Sequence, residues 1–297
     1  MNFGSYPWGL GRGTGVFIKV RAIWAEEGEN REWNGMNVLV TGAGGFIARN
    51  LIAGLQAYDG IRIFECGRTT GQSLLEEFCR EADMVYHLAG SNRPKEITDY
   101  ELTNVGFTRR LLELLKKHGN SCPVMFSSSI QALLDNPYGR SKKAAEELLL
   151  EYAEETGAKV FLYRLPNVFG KWCRPNYNSV IATLCHNTVG GLPTRINDAG
   201  HMMQLVYIED LVRELTGLIG GGDRVSGFYE VPCTYRISLG RIVELVQAFQ
   251  EGQEAGMMPE LSDEFTRKLY DTYLSYMQPS GHMPDGAGII NGERNRA

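Results

Sequence analysis

One short stretch constrains this chain more than any other. Val38-Leu39-Val40-Thr41 is an apolar β run, Gly42-Ala43-Gly44-Gly45 interrupts it, and Phe46-Ile47-Ala48 opens a helical apolar pattern. A strand that turns tightly into a helix leaves the first N–H groups of that helix without intrahelical partners. Those groups, with the helix dipole, favour a bound anion. Gly42 and Gly45 permit the turn and let a pyrophosphate approach the backbone, and Ala48 takes the third small position, where helix packs on strand. A glycine-rich turn alone is weak. Between a strand and an amphipathic helix it signals dinucleotide binding, which makes Gly42, Gly45, Phe46, Ile47 and Arg49 the candidate contacts.

The pattern beyond this turn alternates. Strands are expected at Val38–Thr41, Ile61–Cys66, Met84–Leu88, Val124–Ser127 and Val160–Leu165. Helices are expected at Phe46–Tyr58, about Thr103–His118 and Pro137–Thr156. Short apolar strands alternating with helices predict an α/β fold, a Rossmann-type doubly wound parallel sheet covered on both faces. After Gly170 the rhythm changes: a loop at Trp172–Asn178, a helix at Ser179–Val189, an irregular stretch to His201, a β run at Leu205–Ile208, a late sheet strand at Phe228–Val231 and a helix at Leu239–Gln250. The expected organisation is a leader over 1–35, a dinucleotide-binding domain over 36–170, a smaller substrate-binding lobe over 171–277 interleaved with late sheet strands, and a disordered tail over 278–297.

Composition excludes several classes. A net charge of −5 argues against a nucleic-acid binder. No apolar run reaches the ~20 residues of a membrane-spanning helix. Six scattered cysteines without a C-x-x-C pair suggest free thiols in a reducing cytoplasm, and His87, His118, His186 and His201 lack metal-ligand spacing, so no metal is expected.

The residue at the end of the second strand decides which nicotinamide cofactor fits. An acidic group there suits the ribose 2′-hydroxyl of NAD, and an arginine suits the 2′-phosphate of NADP. Cys66 occupies that place, with Arg68 two residues on and Arg49 behind the glycine turn, so NADP(H) is expected. Glu65 reverses the expectation if the strand slips by one residue.

A second signal is Tyr138-Gly139-Arg140-Ser141-Lys142. Pro137 starts a helix well, which puts Tyr138 and Lys142 on one face at i and i+4. An ammonium beside a phenol is expected to lower the phenol pKa and make a general acid/base. The preceding strand ends in Ser127-Ser128-Ser129, where a hydroxyl can polarise a carbonyl.

Taken in order, the glycine turn, His87-Leu88-Ala89-Gly90, Asn104, the serine run and Tyr138-x-x-x-Lys142 resemble the extended short-chain dehydrogenase/reductase family. The resemblance implies Tyr138 as catalytic acid, and Lys142 as its pKa partner and a ribose ligand. It implies Ser129, with Ser128 as fallback, as the carbonyl-polarising hydroxyl, and Ser128 also as a substrate contact. Leu88, Ala89 and Gly90 become cofactor contacts, and Asn104 kinks its helix and supports proton relay. Pro166–Thr183 and Leu269–Tyr276 narrow the resemblance to capsular-polysaccharide reductases of UDP-4-keto-6-deoxy sugars. Asn167, Lys171, Arg174, Asn176, Tyr177 and Asn178 are then candidates for the sugar and UDP. Met203 stands where many sugar epimerases carry a pyrophosphate-binding arginine. Full-length members of that group add a metal-binding cupin domain that epimerises C3, and this chain stops where the cupin would begin. The implied function is NADPH-dependent reduction of the C4 ketone of a UDP-4-keto-6-deoxy-N-acetylhexosamine in UDP-L-FucNAc precursor synthesis. The expected partners are the UDP-sugar, a second copy in a homodimer and a separate cupin-type C3 epimerase. Two rivals remain: an NAD-dependent nucleotide-sugar epimerase or dehydratase, and a dinucleotide-sensing regulatory protein that catalyses nothing.

Overall fold

A computed structural model of the chain describes residues 35–94, 96–219 and 224–277. Of the expected leader over 1–35, residues 1–34 lie outside the described residues, as does the expected tail over 278–297. The chain divides into two compact units, Met1–Pro166 with Glu209–Cys233, and Asn167–Ile208 with Thr234–Ala297.

The first unit is built on a six-stranded parallel sheet. Its strands are β1 (Met36–Thr41), β2 (Ile61–Cys66), β3 (Met84–His87), β4 (Val124–Ser129), β5 (Val160–Leu165) and β8 (Gly227–Tyr229), in the order β2-β1-β3-β4-β5-β8. The helices of this unit are α1 (Phe46–Leu55), α2 (Gln72–Glu81), α3 (Phe107–Lys117), α4 (Pro137–Thr156) and α6, which spans Ile208–Thr216 across the boundary. β3 and β4 are buried along their whole length, as befits strands covered on both faces. The order reverses between β1 and β3, and such a switch point opens a crevice at the strands' carboxyl ends, where ligands bind. The doubly wound sheet expected from the sequence is present. The late strand is shorter than expected but pairs in parallel with β5.

Local chemistry explains the well-defined ends. The Asn136 side chain caps α4 by accepting from the Gly139 N–H at 2.8 Å, and Gly157, at φ 72°, ends the helix in the left-handed region. The helix expected at Thr103–His118 is interrupted: Glu101–Gly106 forms a π-helical turn, and regular α3 begins only at Phe107. α1 stops at Leu55, three residues short of expectation.

The second unit holds a three-stranded sheet, β6 (Asn167–Phe169), β7 (Met202–Tyr207) and β9 (Tyr235–Ser238), in the order β6-β7-β9. β7 runs parallel to β6 and antiparallel to β9. With them go α5 (Val180–Val189), α7 (Leu239–Glu254) and α8 (Glu264–Met277). Phe169 packs on Tyr207 and Phe265, and Tyr273 on Phe249. No helix among the described residues is long and apolar enough to cross a membrane.

Candidate active site

The glycine turn sits at the switch point as the sequence demands. Gly42 has φ 69°, and a Cβ there would lie 2.8 Å from the backbone of Ala89. That close approach brings β1's loop against Leu88-Ala89-Gly90 at the end of β3. Two hydrogen bonds hold the crevice open in this shape: Ala43 N–H to the Cys66 carbonyl at 3.1 Å, and Ala89 N–H to Thr41 Oγ1 at 3.2 Å. Gly44 and Gly45 are exposed, and the first turn of α1 contains no acidic residue. An exposed helix start without a competing carboxylate suits a pyrophosphate. Phe46, Ile47 and Arg49 are half-buried around this helix start.

At the edge of the sheet the register is settled. Cys66 ends β2 with its side chain in the core, and burial pushes its thiol pKa up. Glu65 faces the opposite way and is exposed. Arg68 is exposed in the following turn, which the Gly67 N–H closes by donating to Thr70 Oγ1 at 3.0 Å.

Tyr138, Lys142 and the serines meet between α4 and β4. Successive strand residues face opposite ways, and the three serines divide accordingly. Ser129 pairs with Tyr138, and its hydroxyl also accepts from the Gln131 N–H at 3.2 Å. Ser128 donates its hydroxyl to the buried carboxylate of Glu146, on the far side of the strand. Its expected role as substrate contact or fallback catalyst therefore does not fit: the hydroxyl is already committed inside the protein. Ser127 bonds to the His87 carbonyl at 3.3 Å.

Lys142 is buried and donates to the Ser127 carbonyl at 2.8 Å, with its Nζ 4.7 Å from the Phe126 ring centroid. Burial lowers its pKa to about 8, against the opposing pull of Glu146. The expected depression of the Tyr138 pKa is not what the site produces. Burial dominates and raises it to about 12; the bond to Ser129 lowers it less, and the neighbouring Tyr100 raises it further. The physical reason is that the buried phenol has lost its water, and the bond to Ser129 offsets only part of that loss. At neutral pH Tyr138 is thus fully protonated, the state that a proton donor needs.

Asn104, expected to kink its helix, sits within the π-helical turn Glu101–Gly106. Its Oδ1 accepts from the Ser91 N–H at 2.7 Å, and its Nδ2 donates to the Ser91 carbonyl at 3.0 Å and to Ser141 Oγ at 2.9 Å. Ser141 in turn donates to the Tyr138 carbonyl at 2.8 Å. A Cβ at Gly90 would lie 3.1 Å from Lys142 Nζ and 3.2 Å from Asn104 Oδ1, so all three surround one point. His87 is enclosed between Thr41 and Thr108 at 2.8 Å on each side, and burial lowers its pKa to about 3. It is a neutral structural residue.

The six substrate candidates belong to the second unit. Asn167 is an exposed residue of β6. The following loop is held in an unusual shape: Trp172 and Asn176 have φ of 69° and 55°. For a tryptophan such a backbone is strained and needs firm support. Cys173 and Asn176 supply it, through Tyr276 OH to the Cys173 carbonyl at 2.5 Å and the Asn176 N–H to Thr183 Oγ1 at 2.9 Å. Lys171 lies over the Trp172 ring and Arg174 over Tyr177, while Asn178 is exposed. Met203 is buried in β7.

Sequence reasoning missed Ser141, Tyr100 and Glu146. Ser141 and Glu146 were within reach: they lie three residues after Tyr138 and four after Lys142, on the same helix face. Tyr100 was not, because its ring meets Tyr138, at 5.8 Å between centroids, only through tertiary structure.

Comparison with known proteins agrees with this geometry. Residues 38–223 match the family described as NAD dependent epimerase/dehydratase. The UDP-2-acetamido-2,6-beta-L-arabino-hexul-4-ose reductase of Pseudomonas aeruginosa is 41% identical over 242 residues, which is 82% of this chain and 65% of the relative. The chain therefore spans just under two thirds of that relative's length. The crystal structure of the capsular polysaccharide assembling protein CapF from Staphylococcus aureus superposes with a TM-score of 0.75 at 41% identity, over 82% of this chain and 67% of that one. A UDP-glucuronic acid 4-epimerase from Bacillus cereus, in complex with NAD, shares the fold with a TM-score of 0.69 at 19% identity, over 82% and 98% of the two chains.

Proposed function

Because this chain belongs to the NAD dependent epimerase/dehydratase family, we propose that it reduces the C4 ketone of a UDP-4-keto-6-deoxy-N-acetylhexosamine with NADPH, in the supply of a capsular sugar precursor. The observation that carries this reading is the pairing of a protonated Tyr138 with Ser129 at the end of β4, beside a buried Lys142. The similarity to a reductase named for a UDP-hexulose supports it.

When bound, the cofactor supplies hydride to the carbonyl carbon. The chain's own residues do the rest. Ser129 donates a hydrogen bond to the carbonyl oxygen and holds it in reach of Tyr138. Tyr138 then gives its proton to that oxygen as negative charge develops there. Lys142 steadies the phenolate left behind and reaches for the cofactor ribose. Gly42, Gly45 and the start of α1 receive the pyrophosphate. Arg68, exposed past β2, pairs with a 2′-phosphate. Asn167, Lys171, Arg174, Asn176, Tyr177 and Asn178 are assigned to the sugar nucleotide. Alanine at Asn178 is expected to raise KM for the sugar while leaving the cofactor dissociation constant as it was.

The test is oxidation of NADPH against a panel of UDP-4-keto sugars, with and without an added C3 epimerase. Turnover only when the epimerase is present identifies the epimerised sugar as substrate. No turnover with any member of the panel overturns the reading. Glu65, exposed one residue before the end of β2, favours a second reading, an NAD-dependent nucleotide-sugar epimerase. Parent protein that binds NADH more tightly than NADPH would decide for it.

A further inference from the structure

The face of α4 that carries Tyr138 and Lys142 continues one turn further. Glu146 follows Lys142 at i+4, and it is among the most deeply buried charged groups of the described residues, 2% exposed. Its carboxylate accepts from Arg164 twice, at 2.9 Å from Nε and 2.7 Å from Nη2, and from the Ser128 hydroxyl. Arg164 lies on β5 with its guanidinium 4.2 Å from the Phe228 ring centroid. One carboxylate therefore ties α4, the end of β4 and β5 together directly behind the reacting groups.

We propose that Glu146 is a positioning residue for the reduction: it supplies the negative charge behind Lys142 and fixes Ser128, so that its neighbour Ser129 meets Tyr138. This rests on the ketoreductase reading above. Burying a charge is costly unless it is paired, and an acceptor for Ser128 alone could be an uncharged amide. The carboxylate has a second use, because Lys142 is enclosed with little else to favour its cation. The groups around Lys142 are Tyr138 and Glu146 on α4, neutral His87 on β3, the Ser127 carbonyl and Phe126 ring of β4, and Asn104 from the π-helical turn. Among these Glu146 is the carboxylate, and it opposes the effect of burial on Lys142. Arg164 shares that carboxylate and so limits how much of its field Lys142 receives.

The two cations make opposite predictions. Glu146→Gln keeps the shape and an acceptor for Ser128 but removes the charge, so the pKa of Lys142 falls by about one unit. Arg164→Met leaves Glu146 unshared, so the pKa of Lys142 rises. Both are read directly from the lysine 13Cε resonance of Lys142 in the full chain, assigned by its loss in Lys142→Met. This arm needs no substrate, and it stands even if the panel above finds none. In turnover, Glu146→Gln moves the alkaline limb of the kcat profile to lower pH with KM for the sugar within twofold, and Glu146→Asp restores part of it. Unchanged lysine titration in Glu146→Gln, or shifts of the same sign in both variants, overturns the proposal.

Discussion

Tyr138 and Lys142 show how far a residue pattern reaches. Their i,i+4 spacing was enough to place them together; Ser129 was preferred to Ser128 through the family resemblance, and strand alternation turns Ser128 toward Glu146 instead. The direction of the Tyr138 pKa was not readable, because it depends on how deeply the fold buries the phenol. Tyr138→Phe removes only a hydroxyl, so turnover should fall at least ~10²-fold with NADPH affinity nearly unchanged; turnover within a few-fold of the parent would remove Tyr138 from the mechanism. Arg68→Ala should weaken NADPH by roughly 1.5–3 kcal/mol and NADH little, as measured by titration of each. Equal weakening would mean that Arg68 does not meet a 2′-phosphate. Lys142 makes a stability prediction with a definite sign. Its pKa falls from 10.5 to about 8 on folding, so the folded state holds fewer protons than the unfolded between those values. Stability then rises with pH across that window, and below about 8 the full cost of burying the charge is present. Lys142→Met should therefore gain about 2 kcal/mol near neutral pH, after the lost bond to Ser127 is counted. It should also flatten the rise in denaturation midpoint from about pH 8 to about pH 10.5. A variant less stable than the parent at neutral pH contradicts this.

Among the elements, those with strong end signals were legible and those without were not. Pro137–Thr156 was found at both ends because its cap, its N1 proline and its terminal glycine all lie in the sequence. β6 and β9, of three and four residues, carry too few positions to show a period. α2 buries only Leu75 and Cys79, so its apolar pattern is faint. The π-helical turn at Asn104 was expected as a kink but not as a wide turn, since side-chain bonds to Ser91 and Ser141 decide it. The start of α4 gives the test at this scale. A Cβ at Gly139 would sit 2.1 Å from the Gln131 carbonyl oxygen and 2.6 Å from that of Leu134, in the 3-10 turn (Ile130–Leu133) and just past it. Gly139→Ala must push the first turn of α4 away and carry Tyr138 with it. Turnover should drop at least about tenfold through misplacement alone, while NADPH binding at the glycine turn of β1 persists. Parallel loss of both would mean that the substitution unfolds the unit instead.

Across the whole molecule the chain leaves its first unit after Pro166 and returns to it for Glu209–Cys233. The sequence suggested late strands returning to the sheet, but α6 was not anticipated: its acidic first turn, Glu209-Asp210, hides an apolar stripe. In the fold that stripe is central. Leu211, Val212 and Leu215 are wholly buried, the Tyr86 hydroxyl donates to the Leu215 carbonyl at 2.7 Å, and a Cβ at Gly54 of α1 would meet Val212 at 2.7 Å. β8, further along the same segment, covers the edge of β5. Three buried aliphatic side chains contribute roughly 5–9 kcal/mol, as much as the whole stability of an ordinary domain. A fragment over 35–166 contains every residue of the proposed catalytic group and the glycine turn, yet it should not fold. Circular dichroism should show no cooperative melt for it, and NADPH should not protect it. Joining 209–233 to its end through a flexible linker should restore both. A fragment that melts cooperatively without the added segment would show that residues 35–166 suffice for the cofactor half, and that the returning segment only caps the sheet.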